Sequence, residues 1–278
     1  MIQQQAPVDV IDLLPFLDRK LIELLKSLTP EEWERQTIAK LWKVKDVVAH
    51  LLDGNIRTLS MLRDGYQDEQ ATVNSYQDLL DYLNRLNADW IKAMKRVSPG
   101  MLVLLHEATA QHYYSYYKSL SPFERSGFAV EWVGEKESQN WMHIAREYTE
   151  KFLHQQQIRE AVNKPGLMVP AFFYPFIDVF MLALPYTYRH VKAEEGTIMK
   201  VTVTSNIGGS WFLIRINDKW QLNKRMIATP TAELIIEPEA AWKLFSKSVT
   251  PDEVKDKFTI SGDKELAEVA LTMVSVMA

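Results

Sequence analysis

Apolar residues recur every three or four positions through the first two-thirds of the chain, then switch to alternation beyond residue 196. The first period is that of helices with one buried stripe, the second that of strands. From Val8 to Leu28 the stripe runs through Ile11, Leu14, Leu17, Leu21, Leu24 and Leu25, with Pro15 at a kink or first turn and Thr29-Pro30-Glu31-Glu32 as the stop. Val44 to Leu62 repeats it through Val44, Val48, Leu51, Leu52, Leu59 and Leu62. Tyr76 to Val97 is a third helix; Ser98-Pro99-Gly100 ends it and opens a fourth, Met101 to Leu120. A loop with Pro122, Gly127 and Gly134 leads to the fifth, Ser138 to Val162, closed by Asn163-Lys164-Pro165-Gly166. Pro170 to His190 is a further helical segment.

Alternation marks strands at Thr197 to Thr204, Trp211 to Ile216, Trp220 to Leu222, Ala232 to Ile236 and Phe258 to Gly262, with Asn217-Asp218-Lys219 as a turn. Glu239 to Phe245, Pro251 to Lys257 and Lys264 to Met277 read as helices among them. The expected fold is α+β, mostly α: an up-down helical bundle over residues 1–165, a helical connection over 166–191, and a smaller α+β domain over 192–278.

Composition narrows the partners. With 47% hydrophobic and 24% charged residues the chain can bury a sizeable core. A formal charge of −4, without a local run of lysine and arginine, argues against nucleic acid and anionic membranes. The opening Met1-Ile2-Gln3-Gln4-Gln5-Ala6-Pro7 has no secretory pattern, and the apolar-rich stretch from Met168 to Leu184 is broken by Pro170, Pro175 and Asp178, so a cytoplasmic location and no membrane span are expected. Cysteine is absent, which excludes disulfides, thiolate ligands and a cysteine nucleophile within the chain. Any sulfur nucleophile must be brought in.

Glu150 and His154 stand four residues apart in the fifth helix and project to the same side. With His50 as the best upstream third ligand they make a set suited to zinc or another divalent transition metal, with a coordination position left open. His143 and Glu147 form an equally spaced pair. Spacing does not choose between the pairs, and a solvated helix face shows the same pattern.

Trp42-x-Val44-x-Asp46-Val47-Val48-Ala49-His50-Leu51, with Glu150-x-x-x-His154-x-x-Gln157-Ile158, resembles the DinB-like superfamily and most closely its mycothiol-dependent maleylpyruvate isomerase family. Phe128-Ala129-Val130-Glu131-Trp132-Val133-Gly134 is similar to that family's approach to the last bundle helix. The resemblance implies a DinB-like bundle in which His50, Glu150 and His154 bind a divalent metal, usually zinc, and a C-terminal domain similar to sterol carrier proteins. It also implies a low-molecular-weight thiol, such as mycothiol or bacillithiol, adding to a small electrophilic substrate in an isomerase or S-transferase reaction. Under that reading Arg225 is a candidate clamp for a substrate carboxylate, and His143 and Glu147 are candidate supporting or acid–base groups. The competing class is a non-catalytic carrier of a hydrophobic small molecule or lipid, lined by His112-Tyr113-Tyr114-Ser115-Tyr116-Tyr117 and Phe172-Phe173-Tyr174.

Overall fold

The computed structural model describes residues 8–66, 75–226 and 228–276. The opening segment Met1–Pro7 and the expected helix end at Met277 lie outside them. Five long helices carry the periodic stripes: α1 (Leu14–Lys26), α3 (Val44–Arg57), α4 (Tyr76–Met94), α5 (Pro99–Ser119) and α6 (Asn140–Val162), with a short α2 (Pro30–Trp33) between the first two. Thr29 caps α2 through a reciprocal bond with Glu32, and Ser98 caps α5 ahead of Pro99. Beyond Arg57, α3 widens into a π-helical turn, Thr58–Arg63.

Side-chain ties give the helix directions. Lys26 pairs with Glu107 and Lys118 with Asp12, so α1 and α5 run antiparallel. The Trp90 indole N–H donates to Ala49 O and Lys45 Nζ to Lys95 O, which sets α4 against α3. His106 meets Val48 O and Asn55 donates to Thr109, making α3 parallel to α5. This is the expected up-down alternation. Its core joins Leu21, Leu24 and Leu25 of α1, Val44, Val48 and Leu52 of α3, Leu102 of α5 and Ile158 of α6.

The second part is a five-stranded sheet ordered β3-β2-β1-β4-β5, from β1 (Ile198–Val203), β2 (Gly209–Ile216), β3 (Lys219–Asn223), β4 (Ala232–Ile236) and β5 (Phe258–Gly262). Only β1 and β4 pair in parallel, since the β2–β3 hairpin intervenes between them in the chain. Asn217 and Asp218 both take positive φ, 50° and 59°, as a two-residue hairpin turn matched to strand twist requires. Alternation is kept: Met199, Val201 and Val203 are buried, while Lys200 and Thr202 bond Glu233 on the other face. The remaining helices are α7 (Pro170–Met181), α8 (Leu184–Thr187), α9 (Pro238–Phe245) and α10 (Lys264–Ala270). The last is shorter than the apolar spacing predicts, because Ser275 leaves the helix to bond Phe245 O and Phe180 O.

The chain divides into two compact units, one taking it to Gly127 and again over Gln139–Leu167, the other Phe128–Ser138 and Met168 onward. Residues 166–191, read from the sequence as a connection, therefore fall largely inside the second unit. The reason is packing: Phe173, Phe176 and Phe180 are fully buried, and Asp178 accepts from the Trp211 indole N–H at 2.8 Å and from Lys224 at 2.6 Å. The Trp132–Gly134 turn joins it too. Gly134 has φ +81° and lies against the Tyr186 ring, where a side chain would collide. Among the described residues no helix is long and apolar enough to cross a membrane.

Candidate metal centre

Helix α6 is buried on nearly every side, with Ala145, Tyr148, Phe152 and Ile158 at 0% exposure. Its polar residues are therefore interior, not a wet face, and each needs a partner. They fall into two groups.

The first group is the expected ligand set. One ring nitrogen of His50, one of His154 and a carboxylate oxygen of Glu150 lie within 4.8 Å of one another. His154 Nε2 is 3.4 Å from Glu150 Oε2, about the separation of two ligands around a tetrahedral zinc ion. The His50 and His154 rings meet edge to face with centroids 4.7 Å apart.

Hydrogen bonding fits a cation. His154 Nδ1 is 2.9 Å from Gln157 Oε1; with the N–H donated there, Nε2 keeps its lone pair on the Glu150 side. His50 Nδ1 is buried with no hydrogen-bond partner among the described residues, an orphan that a bound cation would satisfy. Burial, with His154 and Arg57 adding to it, pushes the His50 pKa well below the ordinary histidine range. The ring is neutral at pH 7, as a ligand must be. Trp42 packs on both histidines, its ring centroid 4.7 Å from His50 and 6.0 Å from His154.

The second group lies deeper. Tyr113 donates to Glu147 Oε2 at 2.6 Å, Arg146 pairs with Glu147 Oε1, and the Tyr117 hydroxyl is 3.1 Å from His143 Nε2 and 3.3 Å from Thr58 Oγ1. Burial opposes the charge on Glu147, yet Arg146, His143, Tyr113 and Lys151 outweigh it and hold its pKa below the usual carboxylate value. Burial takes His143 down to about 4 and raises the Tyr113 and Tyr117 hydroxyls well above theirs. His143 and Glu147 thus face tyrosines of α5, while the other i, i+4 pair meets α3. Spacing on one helix could not separate the two pairs, because the choice depends on which neighbour each stripe meets.

Arg225 belongs to the second unit. It stands exposed after β3, its backbone N–H donating to Asn223 Oδ1. Within the aromatic runs four residues are packed inside: Tyr113 and Tyr117 are 1% exposed and hydrogen-bonded, and Phe172 and Phe173 are buried, while the more exposed Tyr174 stacks on Trp211. Sequence reasoning gave no role to Arg57 or Arg146, and it took Tyr113 and Tyr117 only as lining for a hydrophobic ligand. Trp42 and Gln157 were visible only as motif letters.

Solved structures similar in fold include the mycothiol-dependent maleylpyruvate isomerase, at 11% identity and a TM-score of 0.53, with 90% of this chain and 92% of that chain covered. A histidine-to-alanine mutant of the mycothiol-dependent maleylpyruvate isomerase matches with the same TM-score and coverage at 10% identity. Among curated proteins no sequence matches. The family described as the mycothiol maleylpyruvate isomerase N-terminal domain matches residues 16–159, more than half of the chain and all of the stretch that carries His50, Glu150 and His154. By that match the chain belongs to the mycothiol maleylpyruvate isomerase N-terminal domain family.

Proposed function

We propose that the protein is a metal-dependent enzyme in which His50, Glu150 and His154 hold a divalent cation, zinc being the first candidate, and an external low-molecular-weight thiol serves as nucleophile. The observation that carries this reading is the convergence of the three side chains together with the orphaned Nδ1 of His50. A cation held by three protein ligands supplies an open position and Lewis acidity that lowers the pKa of a bound thiol. The chain supports such use in two ways: it has no cysteine to compete for the metal, and its imidazoles are set for ligation by burial and by Gln157.

The substrate is a small electrophile of the maleylpyruvate type. An activated double bond that takes up a thiolate becomes a single bond free to rotate, with a proton neutralising the carbanion. Loss of that proton and of the thiolate restores the double bond in the other geometry, and retention of the sulfur gives S-transfer instead. Isomerisation leaves the thiol unconsumed. Mycothiol and bacillithiol are both candidates.

Two measurements test the reading. Purified protein should contain close to one equivalent of metal, and His154→Ala should lose it; equal stoichiometry in the variant removes the centre as assigned. Turnover of a cis-enedioate substrate should then require both metal and thiol. Silence with every thiol offered to the metal-loaded protein would refute the reaction class.

A further inference from the structure

Two arginines share the side of α3 and α6 that carries the ligands. Arg57 follows His50 by two helical turns on α3, and Arg146 precedes Glu150 by one turn and His154 by two on α6. The helices are antiparallel: the His50 ring meets that of His154, and further along Lys151 Nζ donates to Asn55 Oδ1 at 2.8 Å. Continuing that register sets Arg57 level with Arg146, at the same end of the ligand cluster. Side chains on a helix lean toward its N-terminus, which inclines Arg57 toward His50; Arg146 leans the other way, yet stays near enough to Glu150 for their charges to interact.

Neither guanidinium is saturated. Arg57 Nε is 2.9 Å from Asp53 Oδ2, but the alignment is too poor for a hydrogen bond, and both atoms are buried without one. The terminal nitrogens of Arg57 have no hydrogen-bond partner among the described residues. Arg146 gives one Nη to Glu147 and has donors to spare. Their side chains keep 32% and 20% of their surface open to solvent. Asp53 and Glu147 roughly offset the two arginines. A dication with Glu150 and two neutral imidazoles then leaves one positive charge, which favours an anionic occupant.

We propose that Arg57 and Arg146 form a carboxylate-binding subsite beside the metal centre, a fork of spare N–H donors whose α3 member is rooted about 10 Å along the helix from His50 and reaches back toward it, holding one end of a short-chain acid whose other end meets the cation. The inference rests on the metal reading above and adds the residues that hold the acid. The carboxylate belongs either to the electrophilic substrate or to the thiol.

The test uses the full chain loaded with Co2+, whose visible absorption reports what enters its coordination shell. Maleate serves as the sulfur-free acid; 3-mercaptopropionate and 2-mercaptoethanol serve as thiols with and without a carboxylate. In Arg57→Gln and Arg146→Gln, Co2+ stoichiometry and 2-mercaptoethanol binding should hold, while at least one carboxylate probe weakens by about tenfold or more. A loss confined to maleate assigns the subsite to the substrate, and one confined to 3-mercaptopropionate assigns it to the thiol. Arg57→Lys, which keeps the charge without the fork, should recover only part. Carboxylate probes binding the variants as tightly as the wild type would overturn the subsite, as would an equal weakening of all three probes. Failure of the wild type to bind Co2+ would sink the metal reading instead, so the two failures are distinct. Should Arg146→Gln not fold, Arg57→Gln decides alone.

Discussion

His154 Nδ1 and Gln157 Oε1 lie 2.9 Å apart across one turn of α6, and Gln157 is itself 4% exposed and so fixed by its surroundings. A ligating imidazole held this way keeps one tautomer and one ring angle, and loss of such a partner costs metal affinity by about 10- to 100-fold. Gln157→Ala should therefore weaken metal binding by that range in competition with a chromophoric chelator. Gln157→Glu, which still accepts the N–H, should bind at least as tightly as wild type. Equal affinity in the alanine variant would show that another group orients His154.

Trp42 touches both histidines, with ring centroids 4.7 Å from His50 and 6.0 Å from His154. A paramagnetic ion at the centre quenches an indole at such range far more than distant ones. Titration with Cu2+ or Co2+ should lower the tryptophan fluorescence of the wild type, and Trp42→Phe should lose most of that response while still binding metal. Retained quenching in Trp42→Phe would place the ion elsewhere.

Helices α1, α3 and α4 were legible because each has one apolar stripe, and the strands because Lys200, Thr202 and Glu233 alternate with buried neighbours. The three candidate ligands were legible as an i, i+4 pair joined to a tryptophan–histidine motif. What could not be read was the environment of α6. A helical wheel places His143, Glu147, Glu150 and His154 on one side, but only tertiary packing says that Tyr113 and Tyr117 take the first two and His50 and Trp42 face the last. The membership of Phe128–Ser138 in the second unit was hidden for the same reason, since it depends on Gly134 meeting Tyr186, distant in sequence.

Acid should destabilise the fold in a defined window. His106 is 2% exposed, its Nε2 is 3.0 Å from Val48 O, and burial takes its pKa from 6.5 down to about 4. Between these values the unfolded chain binds a proton that the folded one refuses. Stability therefore falls as pH drops from 6.5 toward 4, by about 3 kcal/mol for this group alone. His143, also near 4, acts in the same direction. Urea midpoints at pH 7 and 4.5 should differ less in His106→Gln, whose amide can still donate to Val48 O. An undiminished difference would assign the acid sensitivity to other groups.

Lys151, next to Glu150 in sequence, points into the bundle instead: its Nζ donates to Asp18 Oδ1 and Asn55 Oδ1, each at 2.8 Å, and lies 4.2 Å from the centre of the Tyr113 ring. The Lys151 and Asp18 side chains are both 7% exposed, so the pair ties α1, α3, α5 and α6 together away from water. Lys151→Met fills the space but strands a buried carboxylate, a change that costs about 3–5 kcal/mol in such settings. Adding Asp18→Asn removes the stranded charge and should return a large part of the loss. Denaturation of the two single variants and the double variant measures this coupling directly. If the two effects simply add, Lys151 and Asp18 act independently.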